Sequence, residues 1–479
     1  MREAVPAPQG GPEAFLRAMG SGPRGFFGTS QGWVAHAGAA AAVHVDPGDA
    51  PDGSAQDLRF REAEQVRERL AEMAAGVPGE AVPGPRVYGG FAFRPEHRAS
   101  GAWEGFPSAA FTLPRFELHG GAAAEPLLVG QMLLPEDRAG DEAARALRED
   151  LLAVQARLEA GGGGTGFGGA DAGEAEAGFA NGADGAPGHG SGKAGEAIVR
   201  RLEEGVDRRR WERAVEEVLD AIRRGEISKA VLARVLDLLP GHPDGAPEAV
   251  DVLERLRTAN PGAWIYLWEP QAGRALVGAA PETLASVRNG RFRATAVAGS
   301  APVGHDAGES RLRAEELRAS EKDRMEHACT LADMRSRLAD RVTELWTDPE
   351  PRVLTLPRIQ HLETRIEGVA AAGESVLSFL EDLHPTPAVC GLPRDRALDL
   401  LARKEPFQRG WYAGPVGWMD GDGDGVFVPA LRSAVGGPSG WRLFAGAGVV
   451  EGSDPTKEWE ETAMKFQPML RALGVDPGR

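Results

Sequence analysis

The sequence predicts an α+β fold with large antiparallel or mixed sheets. Three observations carry this reading. Many short strand-like runs follow residue 210, only a few long helical segments accompany them, and the two do not alternate strictly as a parallel βαβ chain would. The chain, at 479 residues, exceeds one ordinary domain of about 100–200 residues. Its 42% hydrophobic residues suffice for a substantial core. We divide it into an N-terminal half (1–160), a glycine-rich insertion (161–195) and a C-terminal region (196–479).

In the first part, Arg86–Phe93 (RVYGGFAF) reads as a strand kinked at its glycines. Glu142–Ala160 reads as a helix, because Leu147, Leu151, Val154 and Leu158 step by three or four residues. Nothing in this half attaches to chemistry, and a scaffold role is expected. Residues 161–195 hold 15 glycines in 35 positions. Glycine loses the most backbone entropy on ordering and little here is apolar, so a disordered surface insertion is expected. A phosphate-cradling loop would need G-x-x-x-x-G-K-[ST] after a strand, and here Lys193 is followed by Ala194. Trp211–Arg224 then forms an amphipathic helix stopped at Gly225. Strands follow at Lys229–Leu239, Ala263–Trp268, Arg274–Val277, Arg293–Val297, Gly414–Trp418, Val426–Leu431 and Arg442–Phe444. Long helices are expected over about Ser310–Trp346 and Thr456–Leu473.

Composition excludes several classes. With 54 basic against 71 acidic residues the net charge is −17, unlike a nucleic-acid binder with its basic clusters. Cys329 and Cys390 are far apart, which argues against a disulfide framework or zinc ribbon and fits a reducing compartment. The N-terminus MREAVPAPQGGPEAFLRAMG has no apolar core of a signal peptide. No stretch approaches the roughly 18 unbroken apolar residues of a membrane helix. A soluble cytoplasmic protein is expected.

Four places could carry chemistry. In the C-terminal helix, Asp454 suits the N-cap and Pro455 the first helical position. Glu458, Glu461 and Lys465 then fall within about 60° of arc on one face. They make either a solvated ion-pair ladder or a hard-cation site, because Mg²⁺ favours carboxylate oxygens. In SEKDRMEH (Ser320–His327), Asp323 and Glu326 stand at i, i+3, and Glu326 borders an apolar stripe where a carboxylate needs a partner. Lys229 opens an apolar strand, where it either snorkels or works as a base with a lowered pKa. Glu282 in VGAAPETLASV is either a helix first-turn glutamate or a pocket acid. The glycines at Gly446 and Gly448 permit close approach of an anion, a weak signal. Asp420–Gly425 (DGDGDG) copies the start of an EF-hand loop, but Leu431 stands where the bidentate carboxylate belongs, so a hairpin turn is expected and calcium is rejected.

Taken together, these segments resemble the chorismate-utilising enzymes, and within them the isochorismate synthases. The blocks are ISKAVLAR (227–234), VGAAPETL (277–284), AVAGS (296–300), SEKDRMEH (320–327), HLET (361–364), LHPTPAVCG (383–391), RGWYAGPVGW (409–418), LRSA (431–434), FAGAGVV (444–450) and SDPTKEWEETAMK (453–465). They span about Trp211 to Leu473. The resemblance implies a sandwich of large antiparallel sheets wrapped by helices, with chorismate beside a Mg²⁺. It gives Glu326 and Glu461 as metal ligands and Glu458 as a further carboxylate of that site. Lys229 matches the base that activates water for attack at C2, and Glu282 the acid that protonates the departing C4 hydroxyl. Arg432, Tyr412, Lys465 and the Gly446–Ala447–Gly448 backbone match groups that hold the substrate's carboxylates. His361, His384, Thr386 and Ala388 match the same pocket.

Ammonia-using members of the family have a glutamine where Lys229 stands, or a lysine in place of Ala298. The residues present here therefore point to water as nucleophile, with no glutamine amidotransferase subunit. Salicylate-forming members, the alternative, tend to carry a threonine where this chain has Ala388. RGWYAGPVGW is similar to the menaquinone branch, with a siderophore pathway as the other possibility. A non-catalytic protein of this fold would have lost one of Lys229, Glu282, Glu326 or Glu461, and all four are present. The insertion lies outside every block. Replacing 161–195 with a short Gly/Ser linker is therefore expected to leave both the melting temperature and turnover nearly unchanged, measured by thermal unfolding and by product formation.

Overall fold

The structure, a computed structural model, describes residues 1–8, 10–20, 22–46, 55–74, 84–122, 124–134, 140–160, 201–204, 207–240 and 245–475. The glycine-rich stretch 161–195 lies outside the described residues. Every strand pairing among the described residues is antiparallel, and the pairings trace two large sheets. The first runs, in spatial order, Arg2–Pro6, Ala124–Gln131, Ala109–Gly121, Trp33–Val45, Arg24–Gly28, Trp264–Gln271, Arg274–Ala280, Ser433–Gly437, Gly440–Val449 and Lys229–Leu239. The second runs Arg86–Phe91, Pro415–Asp420, Gly425–Pro429, Ala285–Arg288, Arg291–Pro302 and Ile359–Ala370. Ala109–Gly121 belongs to both, because its first residues pair with Arg86–Phe91 and its last with Ala124–Gln131.

The burial pattern shows why the sheets stack. One apolar cluster joins Trp268, Leu276 and Phe444 of the first sheet to Tyr88, Val416 and Trp418 of the second, with Trp268 stacked on Trp411 at 4.4 Å. The opposite face of the first sheet is covered by helices that bury Phe15, Leu151, Leu253 and Phe466. The opposite face of the second is covered by helices that bury Phe60, Met334 and Phe379. Each strand thus presents apolar residues on both faces, as a layer buried on two sides requires. The α+β expectation holds. The N-terminal part is built into the same sheets, since Arg24–Gly28 and Arg86–Phe91 pair with strands from beyond residue 260. No helix among the described residues is long and apolar enough to cross a membrane.

Most expected elements are present within a few residues, the Asp420–Gly425 hairpin turn among them, and two details differ. The segment Ser310–Trp346 is not one helix. It divides into Ala307–Ala319 and Glu321–Leu338, followed by the strand Val342–Thr347. Ser320 leaves the helical region at ψ 113°, and its hydroxyl accepts from the Asp323 amide at 3.2 Å, so it caps a new helix. The glycines of RVYGGF do not kink their strand. Its ladders on both sides run without a register shift, and a Cβ on Gly89 would land on the Ala110 carbonyl. Asp420–Gly425 is a hairpin turn, with the Asp420 amide donating to the Asp424 carbonyl at 3.0 Å.

Because Ser320 sets the start of the helix that carries Glu326, Ser320→Ala is expected to cost about 1 kcal/mol of stability. Denaturant unfolding of the parent and variant chains measures it.

Candidate active site

Lys229 is the first residue of its strand and is 1% exposed, so it does not snorkel. Its Nζ donates to Glu326 Oε1 at 2.9 Å and to Thr330 Oγ1 at 3.3 Å. Glu326 and Thr330 stand at i, i+4 on the Ser320-capped helix and so share the face turned to Lys229. Burial alone would raise the Glu326 carboxyl, but contact with Lys229, aided by Lys322 and Lys465, holds it below its ordinary value. Gly448 makes this meeting possible. A Cβ there would collide with Glu326 Oε1 and stand 3.2 Å from Lys229 Cε.

The C-terminal helix begins as expected. The Asp454 carboxylate accepts from the Thr456 and Lys457 amides at 2.9 and 3.0 Å, and Pro455 is the first helical residue. Glu461 pairs with Lys465 at 2.6 Å, and Lys465 also donates to the Gly446 carbonyl at 2.9 Å. The pair is mostly buried, so the solvated-ladder reading fails. Glu458 is 1% exposed and turns to Lys322 at 2.6 Å, leaving its Oε2 without a hydrogen-bond partner. Burial and the nearby Glu461 push the Glu458 carboxyl up, against the pull of Lys322. Three carboxylates are thus each matched by one lysine. No three Asp, Glu, His or Cys side chains among the described residues are gathered as a metal cluster. The sequence reading passed over Lys322, although its place one turn before Glu326 was the available signal.

Glu326, Glu461 and Lys465 line one cavity with Glu282, His361, Tyr412, Arg432, Gly446 and Gly448. Glu282 lies in no helix, so its first-turn reading fails and the pocket-acid reading stands. Burial pushes its carboxyl up to about 8, despite the lowering effect of Arg432, Lys229 and Lys465. It is the protonated acid of the site at neutral pH. His361 is held well below its ordinary pKa, first by burial and then by Arg432. Its Nδ1 lies 3.0 Å from the Gly299 carbonyl and its Nε2 accepts from Arg432 Nη2 at 2.9 Å, which fixes a neutral ring protonated on Nδ1. Arg432 holds φ +49°, a left-handed conformation rare for a residue with a side chain. Tyr412 stacks on Phe444 at 5.0 Å, and burial raises its phenol to about 12, so it remains a neutral donor.

Not every expected residue reaches this cavity. Gly446 and Gly448 line the cavity, whereas Ala447 between them is buried in the apolar core. Ala298 and Ala388 are on the wall. His384 and Thr386 are not. His384 Nε2 meets the Phe93 carbonyl at 3.1 Å inside the core, and the Thr386 carbonyl closes a turn by accepting from the Val389 and Cys390 amides. Lys229 and Glu458 stand just behind the wall, each in contact with a charged partner. The cavity therefore offers two cations, Arg432 and Lys465, for a small anion, one protonated carboxyl, and two carboxylates, Glu326 and Glu461, each paired with a lysine.

The family model for chorismate binding enzymes matches residues 12–160 and 190–474. Isochorismate synthase MenF of Bacillus subtilis is 31% identical over 421 residues, 87% of this chain and 81% of that protein. The salicylate biosynthesis isochorismate synthase of Pseudomonas aeruginosa is 38% identical over 272 residues. In that match the chain spans just over half the relative's length, 56%, and 57% of its own. Among solved structures, the menaquinone-specific isochorismate synthase MenF of Escherichia coli superposes with a TM-score of 0.74, covering 99% of this chain and 94% of that one. At 24% identity this likeness speaks for the fold alone. The antiparallel sandwich, the charged cavity and a family match over most of the length agree: the chain belongs to the chorismate-binding enzymes.

Proposed function

We propose that the protein is an isochorismate synthase, a Mg²⁺-dependent isomerase that adds water at C2 of chorismate and releases the C4 hydroxyl, serving menaquinone biosynthesis. The observation that carries this is the pairing of a protonated Glu282 on the cavity wall with a buried Lys229 just behind it. A proton must leave the attacking water and another must reach the departing hydroxyl, and those two jobs need groups in opposite states. For this step Lys229 must first give up the proton of its resting pair with Glu326; it then accepts the proton of the attacking water, and Glu282 gives the second. Arg432 and Lys465 balance the dianion's carboxylates, while the neutral His361 fixes the Arg432 guanidinium in place.

The residues present fit the metal. Glu326 and Glu461 offer carboxylate oxygens to one cavity, and the unpartnered Glu458 Oε2 stands behind them. Bound there, Mg²⁺ would supply positive charge for a substrate carboxylate. Ala298 leaves no lysine on the wall at the position where ammonia-using relatives carry one. That supports water as the nucleophile and a chain that works without an amidotransferase subunit. The menaquinone assignment rests on RGWYAGPVGW and on the relative named MenF.

Incubation with chorismate and Mg²⁺ is expected to yield isochorismate; salicylate with pyruvate as main products would favour the alternative reading. Lys229→Ala and Glu282→Gln should each lower kcat by about 10²–10⁴-fold, with KM less affected. A Lys229→Ala chain with normal kcat and raised KM would make the lysine a binding cation only. Because the acid form of Glu282 is required, kcat/KM should fall as pH rises through about 8. The same raised pKa means that ionising Glu282 opposes folding, so stability declines between its ordinary 4.5 and about 8. Thermal melts of Glu282→Gln should lack this decline. Glu461→Gln should lose turnover while folded, and calorimetric titration should show weakened Mg²⁺ binding. Gly448→Ala, which forces Glu326 aside, should cost about 10²-fold in turnover.

A further inference from the structure

A second cavity adjoins the first, and nothing above gives it a role. Its wall includes Ala279, Ile359, Met464, Arg358, Arg471 and Arg432. Arg432 also lines the active-site cavity, so this residue stands between the two. Three separate elements pass from one cavity into the other. On the strand Ile359–Ala370, Ile359 faces the second cavity and His361 the first. Residues two apart on a strand share a face and stand about 7 Å from each other. Ala279 and Pro281 repeat this relation, and on the C-terminal helix Met464 and Pro468 line the second cavity where Glu461 and Lys465 line the first. The two spaces are thus neighbours along a common floor.

Among the described residues, three arginines and no acidic side chain line the second cavity. Arg358, at the turn before the strand Ile359–Ala370, and Arg471, in the last turn of the C-terminal helix, are both exposed. Neither guanidinium has a hydrogen-bond or ion-pair partner among the described residues. Their charges are therefore free to act on a ligand, unlike that of Arg365, which holds Asp348 at 3.0 Å. The rest of the wall is apolar or small, with Leu356, Pro357 and Pro468. An apolar body bearing two carboxylates fits that combination. A chain of net charge −17 repels such a ligand everywhere else on average.

We propose that this cavity is the antechamber through which the dianionic substrate reaches the active site, with Arg358 and Arg471 as the positioning residues that draw it in and Arg432 as the hand-over point. The inference rests on the chorismate reading above. Both arginines act before chemistry, so their loss appears in KM and in the response to salt.

The test is steady-state turnover of chorismate by the full chain with Mg²⁺, from low salt to about 1 M KCl. For the Arg358→Ala/Arg471→Ala double variant, kcat/KM should fall roughly tenfold at low ionic strength and less than about twofold at the highest, because salt screens the attraction. The loss should lie in KM, and Arg358→Lys/Arg471→Lys should restore most of it. An unchanged KM and salt response, or a loss confined to kcat, overturns the antechamber. Failure of the unmodified chain to form isochorismate overturns the chorismate reading instead, and the inference with it.

Discussion

Burial acts on Glu282 and Glu326 with the same sign, because both carboxyls leave water, yet only Glu326 receives a lysine in contact. The outcome is opposite: one carboxyl stays protonated near neutrality and the other is held ionised. An acid and an anion side by side on one wall are what a reaction needs when it gives up a proton at one atom and holds charge at another. The remaining architecture serves that difference. Lys229 must start a strand whose neighbour carries glycine at Gly448, and Glu326 must sit on a helix that begins one turn earlier.

Three buried or half-buried lysine–carboxylate pairs give the site its resting state: Lys229 with Glu326, Lys465 with Glu461, and Lys322 with Glu458. Isolated, any of these carboxylates would be costly to bury. Paired, each has a positive charge in contact. The two uncommitted requirements, room and positive charge for a dianion, fall to Arg432 with its left-handed backbone and to the small residues Ala298, Ala388 and Gly446.

Much of this was legible in the sequence for identifiable reasons. The C-terminal helix carried its own start signal in Asp454 and Pro455, and the i, i+3, i+4 rule placed Glu458, Glu461 and Lys465 together. Long apolar strands such as Lys229–Leu239 were readable from β-branched and apolar runs. What local pattern does not encode is partnership. Lys322 looked like one charge among many in SEKDRMEH until Glu458, far along the chain, was folded against it. The break at Ser320 was missed because helix-forming residues flank it on both sides and only the cap geometry reveals the stop. His384 and Thr386 share a motif with cavity residues, yet the chain turns between them and Ala388, so sequence proximity overstated their reach. The strands of the first 130 residues pair with distant partners, and such pairing leaves little local trace.

The proposed proton transfers depend most on the protonation state of Glu282, and that state can be read without turnover. Carbon-13 NMR of glutamate side-chain carboxyls in the full chain, with Glu282→Gln assigning the missing signal, gives its titration directly. A buried carboxyl that titrates near pH 8 and vanishes in the variant is expected. A Glu282 signal already ionised at pH 6 would contradict it, because a site with every carboxylate charged has no acid to give to the leaving hydroxyl.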